Sequence, residues 1–340
     1  MIGDINSELK HSLLSSFADD TRLTKGVNSN EDSQLLQDDL NSVFNWASTN
    51  NMCFNETKFE AIRYGKQHVS QNMPYSTSSG THINEKLCVK DLGVIMSNDC
   101  TFDKHISNVS LIAKQIAGWI LRTFNSRSKE LMLTMWKSLV IPKLDYCSQL
   151  WCPYKTGHIQ QIEVIQQSFV RKINNIKSKN YWTRLAELKL YSLERRRERY
   201  RIIYIWKILE KLVPNISDQE NRGIKKLWSD RLGRSCALPS INSKTPASLQ
   251  STLRGSLSFH GVQLFNILPK HIRNTTGCGI DEFKRVLDQY LSLIPDEPQV
   301  PGYTACRTAD SNSLLHMIKS MARELSAKPL GRRGNPLSRR

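Results

Sequence analysis

The sequence predicts an α+β fold in which a small mixed region precedes a longer helical region. Three observations predict it. Short apolar runs separated by turn-forming residues occupy the N-terminal third, and apolar residues then recur at helical spacing. Pro, Gly, Ser and Arg dominate from Pro295 onwards. These changes predict hairpins with a helix, then an all-helical part, then a partly disordered basic tail.

A β-hairpin followed by a helix is the first predicted unit. Residues 13–17 and 21–23 form two short runs, with Asp19 and Asp20 at the turn between them. The helix begins after the capping-box segment 29–32, and its apolar residues recur at helical spacing to about residue 48. The pattern therefore predicts a strand–turn–strand frame backed by an amphipathic helix.

The rest of the N-terminal region is predicted as strands and loops. Residues 54–64 form a further strand, and residues 67–82 form a polar loop rich in Ser, Thr and Asn. A second hairpin has its strands at 87–96 and 100–102, around a turn at 97–99.

From residue 104 the pattern becomes helical. Apolar residues with three- and four-residue spacing predict helices at 106–120, 131–140, 159–173 and 193–213. A loosely ordered connector and two short helices, at 259–268 and 283–293, come before the tail. The predicted divisions of the chain are 1–103, 104–215, 216–256 (connector), 257–294 (small helical extension) and 295–340 (tail).

The net charge of +17 is unevenly distributed. Residues 1–110 contain 9 Lys and Arg against 14 Asp and Glu, a net charge of −5, and the remaining residues contain 39 against 17, a net charge of +22. An acidic front joined to a basic remainder indicates either a carboxylate site beside a polyanion-binding surface or a solvated basic surface with a tail.

The composition indicates the cellular compartment in which the protein is expected. Eight cysteines without a Cys-x-x-Cys pair favour free thiols in a reducing compartment. The sequence contains no run of about 18 apolar residues, so no membrane span is predicted. No secretory signal is visible at the N-terminus. We expect an intracellular protein of the nucleus or cytoplasm.

The segment Phe17-Ala18-Asp19-Asp20 is the strongest candidate for chemistry. Nucleotidyl transfer uses two divalent ions about 3.5–4 Å apart, because the attacking and the leaving oxygen both develop negative charge. Magnesium prefers carboxylates together with phosphates and water. A tight turn directs two aspartates away from the sheet, so Asp19 and Asp20 are candidate ligands for Mg²⁺ or Mn²⁺.

Adjacent acidic residues also occur where no site is expected, and Asp19 and Asp20 could form a solvated turn. Other acidic pairs in the chain include Asp38-Asp39, Asp281-Glu282 and Asp296-Glu297. Asp38-Asp39 falls within a predicted helix and is assigned to its solvent-facing side. Only the strand–turn–strand frame and the preceding Phe17-Ala18 distinguish Asp19-Asp20.

A set of segments along the chain shares features with one protein family. The segments are Met1–Asn6, Phe17–Thr21, Leu40–Trp46, Phe54–Lys58, Val89–Val94, Leu144–Trp151, Pro153-Tyr154, Tyr181–Leu185, Leu188–Trp206, Phe265–Pro269 and Phe283-Lys284. Together they resemble the C-terminal half of a non-LTR (LINE-like) retrotransposon reverse transcriptase of the jockey or CR1 type, over about residues 1–295. The combination is specific, although each short motif is not.

The resemblance implies a fragment of an RNA-directed DNA polymerase, a nucleotidyltransferase that acts on an RNA template and a DNA primer with deoxynucleoside triphosphates. Residues 1–103 would be part of the palm, and residues 104–215 would be the helical thumb. Asp19 and Asp20 would be the catalytic metal ligands, and Lys58 would lie near the incoming triphosphate.

Further site residues follow from the same resemblance. Phe17 and Ala18, which precede the aspartates, would border the substrate. The segment Leu92-Gly93-Val94 resembles the hairpin that holds the primer end.

The chain also departs from the family pattern. The family's first catalytic aspartate lies on an earlier strand, upstream of a Gln-Gly segment, and this sequence contains neither that strand nor the fingers. Two of three metal-binding carboxylates are therefore expected, and such a site should bind metal poorly. One alternative is a non-catalytic nucleic-acid-binding remnant that uses its basic helices, and another is a pseudogene-like translation product with no selected role.

The candidate nucleic-acid contacts lie in a basic stretch. Residues 171–211 contain 13 Lys and Arg against 4 Asp and Glu. The candidates are Arg195, Arg196, Arg197, Arg199 and Arg201. Arginines four residues apart share a helix face, and a guanidinium group can bond two phosphate oxygens at once. A merely solvated face would give the same pattern. Trp206, which lies among apolar residues, is assigned to the core.

Overall fold

The computed structural model describes residues 5–65, 73–176, 179–214, 223–297 and 313–327. The chain divides into two compact units, an N-terminal unit of residues 1–105 and a C-terminal unit of residues 106–340. Helices and short antiparallel hairpins make up both, which confirms the α+β class.

The N-terminal unit begins with a 3₁₀ turn, Ile5–Glu8, and the predicted hairpin and helix follow it. Strands β1 (Leu13–Phe17) and β2 (Asp20–Thr24) pair antiparallel, and helix α1 spans Asn30–Thr49. The Ser29 side chain accepts a hydrogen bond from the Asp32 N–H and caps the helix, as the capping box predicts. A small core forms where one face of α1 meets the segments on either side of it. Its buried members are Ile5, Val43, Trp46 and Ala47.

The strand predicted over residues 54–64 is wrong. The segment instead contains a 3₁₀ turn, Glu56–Lys58, and its only β pairing among the described residues is an isolated bridge from Ala61 to Glu85. The Asn55 side chain accepts hydrogen bonds from the Thr57 N–H and hydroxyl, which closes a local turn that competes with extended backbone.

The second hairpin exists, but its turn lies elsewhere than predicted. Strands β3 (Cys88–Asp91) and β4 (Val94–Ser97) are joined by Leu92-Gly93, not by residues 97–99. Leu92 and Gly93 both have positive φ, of 43° and 84°. A two-residue hairpin turn with both φ values positive matches the twist of the strands, and glycine makes it accessible.

The C-terminal unit is mostly helical. Its predicted helices are present, although the second is split into three segments around Pro142. The elements are α2 (Asp103–Thr123, which starts in the N-terminal unit), α3 (Lys129–Met135), a π-helical turn (Trp136–Val140), α4 (Ile141–Asp145), α5 (Ser148–Trp151), α6 (Thr156–Val170), α7 (Tyr181–Leu188) and α8 (Leu193–Leu209).

The connector predicted over residues 216–256 is more ordered than its composition indicates. The described part contains a hairpin, β5 (Lys226–Ser229) and β6 (Gly233–Cys236), and helix α9 (Ala247–Gly255). Arg234 and Cys236 of β6 are buried, and burial of this kind depends on distant partners that composition does not reveal.

Helices continue beyond α9 into the region predicted as a tail. After the π-helical turn Leu257–Gly261 come α10 (Val262–Ile267), α11 (Lys270–Arg273), α12 (Ile280–Leu291) and α13 (Leu314–Ala327). The prediction of disorder is wrong for α13, because Leu314 and Met317 are buried in the core of the unit. Most of the predicted tail lies outside the described residues.

The core of the C-terminal unit is centred on α8. The Trp206 indole stacks on the Phe283 ring with a centroid separation of 4.5 Å, and its N–H donates to the Thr275 carbonyl. Its side chain is fully buried, which confirms its assignment to the core. None of the described helices is long and apolar enough to cross a lipid bilayer.

Candidate active site

The aspartate motif lies at the tip of the β1–β2 hairpin. Phe17 pairs with Asp20, so Ala18 and Asp19 form a two-residue turn. Ala18 has a φ of 53°, in a region that costs a non-glycine residue roughly 1–2 kcal/mol. Phe17 is 69% exposed, and both aspartates are exposed. The strand–turn–strand prediction is confirmed, and the turn presents both carboxylates to solvent.

The two carboxylates are ligands of the type that binds a hard cation. Within the described part of the chain, neither Asp19 nor Asp20 forms an ion pair, so both can accept a cation. Carboxylate oxygens, waters and substrate phosphates are the donors that Mg²⁺ prefers. Among the described residues, however, no third His, Cys, Asp or Glu joins them in a group that could hold a metal ion.

A buried carboxylate anchors the start of the hairpin. Asp39, on α1, is 2% exposed and accepts hydrogen bonds from the backbone N–H groups of Lys10 and His11, at 3.0 and 2.9 Å. Burial would raise the pKa of Asp39, but these hydrogen bonds hold it below its ordinary value. The assignment of Asp39 to a solvent-facing side is wrong, whereas Asp38 is exposed.

Sequence reasoning missed Asp39 although a signal was present. It lies three residues after Leu36 and four before Val43, within the apolar stripe of α1. A charged residue on an apolar stripe indicates a buried partner. Here the partners are two backbone N–H groups immediately before β1.

The two hairpins of the N-terminal unit are linked by an ion pair. Arg22 of β2 contacts Asp91 at the end of β3. Asp91 directly precedes the Leu92-Gly93 turn, so the link connects the strand after the aspartates to the second turn. Leu92 and Gly93 are exposed.

Two other predicted site residues differ in their availability. Val94 is 3% exposed, so the prediction that it contacts a primer end is wrong for its side chain, which packs in the interior. Lys58 is exposed at the end of its 3₁₀ turn, and it forms no ion pair with a described residue. Its position near a triphosphate stays a prediction.

The candidate arginines of α8 are mostly buried. Arg195, Arg197 and Arg201 are 0%, 2% and 1% exposed. An exposed phosphate-binding face is therefore wrong for these three side chains. Because α8 lies at the centre of its unit, the long arginine stems pack among apolar residues while the guanidinium groups find internal partners.

Two of these guanidinium groups donate hydrogen bonds to backbone carbonyls. Arg195 donates to the carbonyls of Ile294 and Pro295, at 3.2 and 2.9 Å. Arg201 donates to the Gly255 carbonyl at 2.7 Å and contacts His260 Nδ1 at 3.1 Å. These partners lie 54 to 100 residues away along the chain. The arginines therefore tie distant segments to α8.

The other two arginines are partly exposed and already paired. Arg196 is 32% exposed in its side chain and donates to both oxygens of Asp145, with Nε at 3.2 Å from Oδ1 and Nη2 at 2.7 Å from Oδ2. Arg199 is 15% exposed in its side chain and forms a bidentate pair with Asp288. A phosphate would have to compete with these carboxylates. Nucleic-acid contact stays a prediction for Arg196 and Arg199.

Three buried glutamates accompany the arginines. Glu163, on α6, accepts from the Leu193 and Glu194 N–H groups at the start of α8 and from the Tyr181 hydroxyl. Burial raises its pKa to about 6, opposed by the Tyr181 hydrogen bond and by Arg197. Burial also raises the pKa of Glu194 and of Glu198.

The contribution of His260 to stability depends on pH in the opposite direction to that of the glutamates. Burial and the adjacent Arg201 lower the pKa of His260 to about 3. A neutral imidazole is therefore built into the same group of charges. Any test of the glutamates by pH must hold His260 constant.

A Glu163→Gln variant isolates the titration of Glu163. A pKa raised from 4.5 to about 6 contributes stability that is complete below pH 4.5 and is lost as pH rises through 6. We expect the stability of the wild type, relative to the variant, to improve by about 1 kcal/mol between about pH 7 and about pH 5. Chemical denaturation at both pH values measures this difference.

Comparison with a variant removes the contribution of His260, which titrates in both proteins. Glu282→Gln, at an exposed position on α12, is the matched control for the loss of one glutamate charge. An unchanged Glu163→Gln difference would show that the Glu163 carboxyl is not buried as the structure describes.

Three curated proteins are similar to this chain. The RNA-directed DNA polymerase from mobile element jockey of Drosophila funebris is 28% identical over 168 residues, and that of Drosophila melanogaster is 25% identical over 166 residues. The probable RNA-directed DNA polymerase from transposon X-element of Drosophila melanogaster is 26% identical over 168 residues. No family model and no solved structure matches the chain.

The resemblance to non-LTR reverse transcriptases is confirmed. The homologues of this chain are RNA-directed DNA polymerases of mobile elements. Each match covers 48% of this chain and 18% of the relative, so the chain spans a small part of the relatives' length.

Proposed function

We propose that this chain is a segment of an RNA-directed DNA polymerase of a mobile element, with its nucleotidyl-transfer site at the β1–β2 hairpin. The observation that carries the proposal is the turn itself: a strained Ala18 followed by Asp19 and Asp20, both exposed and neither in an ion pair among the described residues. Strain of this kind clusters at functional sites. The similarity to jockey polymerases supports the same assignment.

Residues of the N-terminal unit would have different roles at this site. Asp19 and Asp20 would hold Mg²⁺ or Mn²⁺, which supplies charge stabilisation for the attacking and leaving oxygens. Asp39 holds the backbone that enters β1 and so fixes where the turn projects. Leu92 and Gly93, exposed at the second turn, would contact the primer end, and Lys58 would meet the triphosphate.

The C-terminal unit would act as the helical thumb on the template–primer duplex of RNA and DNA. The burial of Arg195, Arg197 and Arg201 gives them a structural role in this arrangement. Contacts to the duplex would come from the exposed basic residues of the unit, whose net charge over residues 111–340 is +22.

A second candidate function is favoured by one observation. No third metal-binding side chain joins Asp19 and Asp20 among the described residues. A chain with only these two carboxylates would bind nucleic acid through its basic unit without catalysis. The two functions differ in one measurable property, which is nucleotide incorporation.

Primer extension on an RNA template tests the proposal. We expect Mg²⁺-dependent extension that is lost in Asp19→Asn, because removal of one carboxylate charge weakens cation binding at the turn. Asp38→Asn is the matched control, since it neutralises an exposed aspartate on α1. An amount of product that is unchanged in Asp19→Asn would contradict the assignment of the catalytic site to the β1–β2 hairpin. Oligonucleotide binding without any extension by the wild type would establish the second candidate.

A further inference from the structure

The β5–β6 hairpin is fixed firmly to its unit. The Asn266 side chain exchanges two hydrogen bonds with the backbone of Cys236, both at 2.8 Å. The Arg234 N–H donates to the Asn274 side chain at 2.9 Å, and the buried Arg234 guanidinium pairs with Glu210 at 2.5 Å. Strand β6 therefore serves as a rigid base.

The loop that joins the strands is held from beneath. Lys270 donates to the Asp230 carbonyl at 2.6 Å, and Arg273 donates to the Leu232 carbonyl at 2.8 Å and to the Arg234 carbonyl. Two cations of the α11 region are thus used to fix a short surface loop. The backbone of the hairpin tip has little freedom to move.

The side chains carried by this rigid backbone are apolar and exposed. Leu227 is 49% exposed, and Trp228 and Leu232 are each 60% exposed. Side chains alternate along a strand, so Leu227 lies on the other face of the hairpin from Trp228, and the exposed patch is the face that carries the Trp228 indole. The hydrogen bonds beneath the loop hold these side chains outside the core.

Three cations lie within three residues of Trp228 in the sequence. Lys225, Lys226 and Arg231 are exposed and form no ion pair with a described residue. Lys226 and Trp228 are two residues apart on β5, so they share one face of the hairpin. An indole beside an ammonium group offers a flat apolar surface and a positive charge within one nucleotide's reach.

We propose that the tip of the β5–β6 hairpin is a contact site for single-stranded nucleic acid, in which Trp228 stacks on an unpaired base and Lys225, Lys226 and Arg231 meet the phosphates. Base stacking on an aromatic side chain is tolerant of sequence, and a positive surface follows the backbone. Bases within a duplex expose no free face for stacking, so the geometry selects single strands. The charge of the tip and the basic unit favour a polyanion over a neutral partner.

This site extends the proposed function to a part of the chain that no motif indicated, and it is independent of chemistry at Asp19. Binding is therefore measured without Mg²⁺ or nucleotides, so a failure of polymerase activity leaves the result intact. The probes are short homopyrimidine oligonucleotides of DNA and of RNA, with duplex DNA for comparison.

The experiment compares Trp228→Ala with the full-length wild type by fluorescence anisotropy of labelled oligonucleotides. We expect affinity for single strands to fall roughly tenfold, as loss of one stacked base predicts. Trp228→Phe should retain most of the affinity. Trp119→Ala is the matched control, because Trp119 is 49% exposed on α2 and lies outside the hairpin.

The lysines are tested by salt dependence. A Lys225→Ala, Lys226→Ala double variant should reduce the slope of log affinity against log salt by about 0.7 for each lost phosphate contact. Equal loss of affinity in Trp228→Ala and Trp119→Ala would overturn the proposal, as would unchanged binding in Trp228→Ala. Self-association that is lost in Trp228→Ala, with oligonucleotide binding intact, would assign the patch to a second copy of the chain instead.

Discussion

Replacement of Arg195 by methionine is expected to lower the free energy of unfolding of the C-terminal unit by about 3–5 kcal/mol. Methionine fills much of the space of the arginine stem but supplies no hydrogen-bond donor. The carbonyls of Ile294 and Pro295 would lose the Arg195 donor, and Asp296, 3.8 Å from the arginine Nε, would lose this ion pair. Chemical denaturation measures the loss.

The substitution also separates the two interpretations of the arginine-rich helix. An exposed phosphate contact would lower oligonucleotide affinity and leave stability almost unchanged, whereas a buried donor would lower stability. Arg254→Ala is the matched control, since Arg254 is exposed on α9 and its removal should change stability by no more than about 0.5 kcal/mol. A variant at Arg195 that is stable and binds nucleic acid poorly would contradict the structure.

Local signals predicted the parts of the fold that depend on nearby residues. The β1–β2 hairpin, the Ser29 cap of α1 and the burial of Trp206 all follow from residues within a few positions of one another. A local competitor explains one failure. Asn55 closes a turn with its own side chain, and this contact outweighed the aromatic and β-branched residues that suggested a strand.

The charged interior was not predictable in the same way. Arginine and glutamate are rarely buried, so a run of them on a helix is assigned to solvent by default. The assignment was wrong for Arg195 because its acceptors are carbonyls 99 and 100 residues away, which no local pattern contains. Asp39 was different, since its place in the apolar stripe of α1 was a local signal of burial that the sequence prediction did not use.

The aspartate turn is the part of the candidate site whose local structure the sequence alone predicted correctly. A two-residue turn needs only its own strands, so the position of Asp19 and Asp20 follows from the local pattern. The second turn was misplaced because Leu92 is a poor turn residue by composition. Its positive φ is possible here because Gly93 completes the turn.

Replacement of Gly233 by alanine is expected to destabilise the β5–β6 hairpin by about 2–5 kcal/mol. Gly233 has a φ of 70°, which costs an alanine roughly 1–2 kcal/mol. A Cβ atom there would lie 2.6 Å from Asn274 Oδ1 and 2.9 Å from Lys270 Cγ. Asn274 accepts from the Arg234 N–H, so it cannot withdraw without the loss of that hydrogen bond.

Gly277→Ala is the control that separates backbone strain from the steric clash. Its φ is 67°, but a Cβ atom there meets no atom within 4 Å. Denaturation of both variants therefore gives the steric part as a difference, and equal losses would show that the hairpin is not seated against Asn274 and Lys270. Because Gly233→Ala removes no exposed side chain, weaker single-strand binding by this variant would show that Trp228 depends on the rigid base beneath it.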